Sequence, residues 1–362
     1  MLFMKKTLVA LSLSVIALPP AFACTDMQLQ ALDHTTIIGR TMDFDRPLHS
    51  ALAIYPRGEE RTSLKPDGGK GLTWVSRYAY AGMNELNNQQ MISDGINEKG
   101  LALEDLWLAE TQYQTIAAND NAVLLLYDLP AWILGNFASV NEVKKNLPAV
   151  KVWANNIAIL KSIPPLHFAI HDASGANIVI EFLNGQTTII DNPVGVLTNS
   201  PTFAWQLTNL RAYNQLTNEN SKAQKFGQLT LNATGPGSGL LGMPGDYTPV
   251  SRFVKAAFLV HFSDSLKDGA SAQNQMMHLI NNFDVPFNAI ADRTSKFPGG
   301  DYTQWTIIKN LTSQTVFIRP YNSMTFYQLD LTTLFNNARQ FKRIALTDLA
   351  KQNQINATAL LA

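Results

Sequence analysis

"CTDMQLQALDHTTIIGRTMDF", residues 24–44, reads as a β-hairpin whose first residue is a thiol. Polar and apolar residues alternate through 24–31 and again through 35–44, the period of a half-buried strand, and "LDH" between them is turn-like. Cys24 is the single cysteine in 362 residues, so it forms no internal disulfide. It is either a buried, inert thiol that packs like a small hydrophobe or a reactive one. A strand end is a rigid place for chemistry. The returning strand brings Arg40 and Asp43 back towards Cys24, where Asp43 could accept from an α-ammonium and Arg40 could favour a thiolate.

The residues upstream decide between the two readings of the thiol. In "MLFMKKTLVALSLSVIALPPAFA", Lys5 and Lys6 precede an apolar run from Thr7 to Leu18, Pro19-Pro20 ends it, and Ala21-Phe22-Ala23 is a small-x-small cleavage site. This is the pattern of a secretory signal peptide over residues 1–23, with one domain expected over 24–362. Cleavage after Ala23 would give Cys24 a free α-amino group. That amine, with a reference pKa of about 7.7–8.0 beside a thiol of about 8.5, can act as the thiol's own base. The competing reading is a lipidated cysteine on an anchored, non-catalytic binding protein. Against it, Ala21 and the bulky Phe22 occupy positions where lipid attachment usually follows a Leu and small residues.

Composition narrows the partners. The chain has 28 basic and 28 acidic residues, with only 15% charged, so it carries no electrostatic footprint for nucleic acid or anionic membranes. Past the leader, no run reaches the roughly 18 apolar residues of a membrane span, and no stable membrane association is expected. Small uncharged or amphipathic ligands fit better. No linker, repeat or low-complexity segment divides the chain.

Strand patterns occupy 24–31, 35–43, 51–56, 76–82, 89–96 and 101–108, then 302–310, 314–320 and 325–330. Helical periodicity occupies 121–136, 139–146, 203–218, 251–262 and 271–282. "INEKGL", "DASGAN" and "LNGQ" supply hairpin turns. Antiparallel strands with intervening helices point to an α+β fold of two sheets stacked face to face with helices outside.

Several weaker signals lead nowhere. "GSGLLG" (237–242) spells a dinucleotide motif, but "MPGD" turns the chain where a helix would be required. The six histidines show no metal-type cluster; His167 and His171 share a strand face about 13 Å apart and read as structural. The acidic residues form no evident catalytic pair, and G-x-S-x-G is absent. The Gly-rich "PDGGKG" (66–71) reads as an exposed turn, with the pocket entrance as its alternative. The "KQNQINATALLA" tail (351–362) reads as a frayed end or a subunit contact.

Five blocks stand in order along the chain: the opening hairpin, "DGINEKGLALEDLWL" (94–108), residues 168–210 around "VLTNSPTF", "GSGLLGMPGDYTPVSRFVKAAFL" (237–259) and "DYTQWTIIKN" (301–310) with its continuation to 331. In these five blocks the chain resembles the choloylglycine hydrolase family of N-terminal-nucleophile hydrolases, which includes penicillin V acylases and bile salt hydrolases. The resemblance implies a four-layer αββα sandwich and hydrolysis of linear amide C–N bonds without metal or cofactor.

By the same resemblance, Cys24 is the nucleophile and its α-amine the base. Arg40, Asp43 and Arg252 organise the charges, and the Asn199 side-chain amide stabilises the oxyanion. Trp107 stands where many bile salt hydrolases carry Asn, which resembles the Gram-negative branch. With Phe44 it would wall an apolar acyl pocket. The expected activity is penicillin V acylase-like, with N-acyl-homoserine lactone acylase activity beside it; the alternative is a bile salt hydrolase. A periplasmic location and a homotetramer are further expectations of the resemblance.

Overall fold

The computed structural model describes residues 23–290 and 300–351. The expected leader, residues 1–22, and the tail, 352–362, lie outside the described residues. The quoted stretch forms the expected hairpin. Strand Thr25–Gln30 pairs antiparallel with Thr36–Phe44 in a register that sets Asp26 against Arg40 and Met27 against Gly39. Thr36–Phe44 is buried along its whole length because it is an interior strand, with Tyr302–Asn310 on its other side. The six-stranded sheet is completed by Val196–Leu197 at one edge and by Thr315–Pro320 and Tyr327–Asp330 at the other.

A second, eight-stranded antiparallel sheet faces the first. Its order runs Gln186–Asp191, Asn177–Leu183, Leu166–His171, Ala102–Trp107, Asn88–Asn97, Tyr80–Glu85, Ala51–Tyr55, Lys342–Ala345. The period-2 alternation sorts its side chains: Leu52, Ile54, Ala169 and Val179 pack towards the first sheet, while Ala53, Tyr55, Phe168, Ile170, Ile178 and Ile180 pack outward. Helix Leu129–Asn136, apolar nearly all round, covers that outer face. Helices Pro249–His261 and Gly269–Ile280 cover the outer face of the first sheet. The result is an α+β, four-layer αββα sandwich. Gly39 lets helix Gly269–Ile280 lie close, since a Cβ there would fall 2.4 Å from Met276 Sδ.

Three boundaries differ from the sequence reading. The expected helix 121–136 begins only at Leu129, because Val123–Leu125 pairs as a strand with Lys151–Trp153 and Pro130 is tolerated only in a first turn. The expected helix 203–218 stops at Asn209 and tightens to a 3₁₀ turn, Leu210–Tyr213, with no buried side chain to hold a longer helix. The expected strand 76–82 lies instead at Tyr80–Glu85, preceded by a separate strand, Lys70–Val75, that pairs locally with Glu60–Leu64. "PDGGKG" forms the tip of that local hairpin and does not line the pocket described below.

Candidate active site

Cys24 sits immediately before strand Thr25–Gln30 and is only 4% exposed. Its Sγ lies 3.7 Å from both Met42 Sδ and the Asp43 carbonyl oxygen. Burial pushes the thiol up to about 11; the Arg40 guanidinium pulls the other way, and Asp43 adds to the rise. The buried Ala23 precedes it, so the Cys24 nitrogen is an amide here and supplies no base. In this state the thiol is masked.

Arg252 ties three segments together from the first turn of helix Pro249–His261, which is capped by the Thr248 side chain. Its guanidinium donates to the Cys24 carbonyl, to Thr25 Oγ1 at 2.7 Å, to Asn199 Oδ1 at 2.8 Å and to the Tyr247 carbonyl at 3.0 Å. Because Arg252 occupies Oδ1, the Asn199 amide is oriented with Nδ2 as its free donor, and it donates to the Trp107 carbonyl at 3.1 Å. Asn199 thus meets a carbonyl of the neighbouring sheet where the sequence reading expected an oxyanion.

Asp43 is held on the outer side of its strand by threonines. Thr303 Oγ1 donates to Oδ1 and Thr41 Oγ1 donates to Oδ2 at 3.0 Å, while Thr41 accepts from the Thr25 N–H at 3.2 Å. A bulge between Thr303 and Trp305 brings Thr303 opposite Asp43. Burial raises the Asp43 carboxyl to about 7, against the pull of Arg252. Arg40 points between the sheets: it donates to the Ser93 and Asp105 carbonyls, pairs with Asp105 Oδ1 at 3.2 Å, reaches Asp94 Oδ2 at 3.6 Å and stacks over Trp305. The four polar residues read from the sequence, Arg40, Asp43, Asn199 and Arg252, therefore converge around Cys24 through direct contacts or one shared neighbour.

An apolar pocket of about 100 Å³ opens beside the thiol. Met42, Phe44, Leu106, Trp107, Leu126 and Phe168 are among its walls, so Trp107 and Phe44 stand where the acyl-pocket reading expects them. Its other polar groups include Glu85, Ser93 and Asp105.

Sequence reasoning missed one feature. Lys309, fully buried, pairs with Asp94 at 2.7 Å and with Glu104; His171 lies 3.1 Å from Asp26 Oδ2 and 3.3 Å from Glu104 Oε2. The acids that formed no evident pair in sequence are thus joined across the sheets, and His171 does meet carboxylates. Asp26, Glu104 and His171 have the spacing of a metal-ligand set, but the Lys309 ammonium already supplies a cation to Glu104. His167 bridges the sheets by a 2.9 Å bond to the Thr198 carbonyl, the structural role expected of it. The available signal was charge at inward strand positions: Asp94 in "SDGIN", Glu104 in "ALEDLW", Lys309 in "TIIKN".

Comparison with known proteins assigns the arrangement. The model of the linear amide C–N hydrolases, choloylglycine hydrolase family, matches residues 24–341, beginning at Cys24 itself. The chain belongs to the choloylglycine hydrolase family. A bile salt hydrolase/transferase of Clostridium perfringens is 29% identical over 337 residues, covering 92% of this chain and 100% of the relative. A penicillin V acylase of Pectobacterium atrosepticum is 32% identical over 270 residues, covering 71% of this chain and 65% of the relative. The crystal structure of a variant of the conjugated bile acid hydrolase from Clostridium perfringens superposes with a TM-score of 0.80 at 28% identity, covering 92% of this chain and all of that one. The fold is that of the N-terminal-nucleophile hydrolases, and the chain is an amidohydrolase acting on linear amides.

Proposed function

We propose that the protein is exported, is cleaved after Ala23 and then hydrolyses amides with an apolar acyl group, in the manner of a penicillin V acylase. One observation carries the reading: a buried Cys24 stands at an apolar pocket with Arg40, Asp43, Asn199 and Arg252 gathered round it. Release of the Cys24 amine converts a masked thiol into one with a base on the same residue. The amine takes the thiol proton and Sγ adds to the acyl carbonyl. The Asn199 amide, with the backbone near Trp107, stabilises the oxyanion. Collapse expels the amine, which takes the proton from the α-ammonium and leaves a thioester on Cys24. Water, deprotonated by the same α-amine, attacks the thioester; the acid leaves and the thiol is restored.

Pocket size favours a small acyl group. At about 100 Å³ the cavity is smaller than the roughly 150 Å³ that holds a benzene ring, so it favours a slim acyl group that extends into the open mouth over a fused steroid. Phenoxyacetyl and straight fatty acyl groups are the candidates of that shape, the latter supporting N-acyl-homoserine lactones as second substrates. A bile salt hydrolase is the other reading within the family, favoured by end-to-end coverage of the Clostridium perfringens relative.

The leader, the match that begins at Cys24 and the Trp at position 107 together support a periplasmic enzyme of the Gram-negative branch. Among the described residues no helix is long and apolar enough to cross a membrane. A homotetramer is supported by the hairpin Gln224–Phe226/Leu229–Leu231, which exposes Phe226, Leu229 and Leu231. Cys24→Ser tests the function: it is expected to be exported and folded, with phenoxyacetyl-amide turnover reduced by about a thousandfold or more, since the hydroxyl ionises far less readily than the thiol. Wild-type turnover in that variant would remove Cys24 from the mechanism.

A further inference from the structure

The wall of the acyl pocket contains a carboxyl group that the mechanism does not use. Glu85 ends strand Tyr80–Glu85, is 6% exposed and lines the pocket with Ser93 and Asp105. Asp105 has its cation in Arg40. Among the described residues, Glu85 has no Lys, Arg or His within ion-pair distance; its partners are hydroxyls. Ser50 Oγ donates to Oε2 at 2.5 Å and Ser93 Oγ donates to Oε1 at 2.8 Å. Ser50 Oγ in turn accepts from Trp305 Nε1 at 3.0 Å.

A buried carboxyl with no cation paired to it keeps its proton, because the more distant pull of Arg40, which pairs with Asp105, does not offset the lost hydration. Burial raises Glu85 to about 8, in keeping with that argument. Three hydroxyl protons then meet in one cluster, from Ser50, Ser93 and the acid itself. Each of the two contacts between Glu85 and a serine uses only one of these protons, whichever group donates. One O–H is left over, and an acceptor is the group it lacks. Leaving such a donor unmet in an apolar pocket costs about 1–3 kcal/mol.

We propose that Glu85, with Ser50 and Ser93, forms a polar subsite in the acyl pocket that recognises an acceptor oxygen on the acyl group. The preferred acyl groups are therefore aryloxy, hydroxy or oxo acids over hydrocarbon acids of the same shape. A cationic acyl group is disfavoured, because the Arg40 guanidinium already bonds to the Ser93 carbonyl beside the subsite. This proposal rests on the amidase reading above and adds a substrate class to it.

The test compares two substrates on one protein: a chromogenic anilide of phenoxyacetic acid and that of 3-phenylpropanoic acid, in which CH₂ replaces the ether oxygen. A 3-hydroxyacyl and plain acyl pair of equal chain length repeats it. The wild-type enzyme is expected to favour at least one oxygenated partner in kcat/KM by roughly 3- to 10-fold, the effect of one neutral hydrogen bond. Glu85→Met is expected to bring that ratio close to one, whereas Glu85→Gln, which keeps an N–H donor, retains it. Ser93→Ala serves as the second variant if Glu85→Met folds poorly, and it too is expected to reduce the ratio. Because each ratio is taken within one protein, loss of folded enzyme cancels. Equal kcat/KM for both pairs in the wild type, or an unchanged ratio in Glu85→Met, would overturn the subsite. Hydrolysis of none of these amides would instead strike the amidase reading beneath it.

Discussion

The two faces of the eight-stranded sheet are made by the same strands and held by different physics. Towards helix Leu129–Asn136, Phe168, Ile170, Ile178, Ile180 and Phe182 interlock as an apolar layer. Towards the other sheet, the same strands offer Asp94, Glu104, His167, His171 and Glu181, all buried. The apolar face is stabilised by area removed from water, and residues of similar volume can replace one another there. The charged face tolerates little, because each buried ion depends on a specific partner. It also reaches the candidate active site, since Asp94 serves Lys309 and Arg40 together. The two faces meet near Cys24, where Phe168 of the apolar layer walls the pocket and Asp94 of the charged layer holds Arg40.

Breaking the charged face has the largest expected effect. Lys309→Met leaves Asp94 and Glu104 facing each other without their ammonium, and unfolding by urea is expected to show a loss of about 3–5 kcal/mol. A loss below about 1 kcal/mol would mean that water or rearranged partners satisfy the acids, and the contrast between faces would fall.

A pH series sharpens the same contrast. Burial opposes a charge on His171, but Asp26 and Glu104 outweigh it and hold the imidazole up at about 10, against about 6.5 in an unfolded chain. Between those values the folded state keeps a proton that the unfolded state releases. The stabilisation is therefore complete below about pH 6.5 and is lost as pH rises through about 10. Glu85 at about 8, and Asp43 and Asp105 at about 7, are also raised by burial, so they reduce stability in the same direction from about pH 4 upward. The thermal midpoint is expected to fall steadily from pH 6.5 to 10, and His171→Gln to flatten that slope. A midpoint that rises across this range would contradict the charge assignment.

The apolar face is expected to respond least. Ile180→Val removes one methylene under the helix layer and is expected to cost about 0.5–1.5 kcal/mol. Amide turnover at saturating substrate is expected to stay unchanged. A large fall in turnover would show that the outer layer shapes the pocket more than its distance in the fold implies.

Much of this division was legible in the sequence. Alternation in 24–44 marks the hairpin, and "DASGAN" and "LNGQ" mark the turns of the strand pairs around 168–190. The leader and the lone Cys24 raise the question of chemistry, while the roles of Asn199 and Arg252 come from resemblance to a family. What alternation cannot supply is the partner across the gap between sheets. Lys309 and Asp94 are 215 positions apart and meet only because separate hairpins stack. Local pattern also misled at Val123–Leu125, where an apolar run joined to a helix belongs to a strand. Glu85 was unremarkable in sequence because its lack of a paired cation is a property of the folded pocket alone.

The central claim is that Cys24, once it is the first residue, carries the acyl group through the reaction. It is tested most directly by mixing the exported protein with a phenoxyacetyl amide, quenching in acid within the first turnover, and measuring intact mass and peptide map. The expected species is a chain that starts at Cys24 and bears one phenoxyacetyl group on the Cys24 sulfur. An active chain that still retains Ala23, or an acyl group on any other residue, would contradict the account.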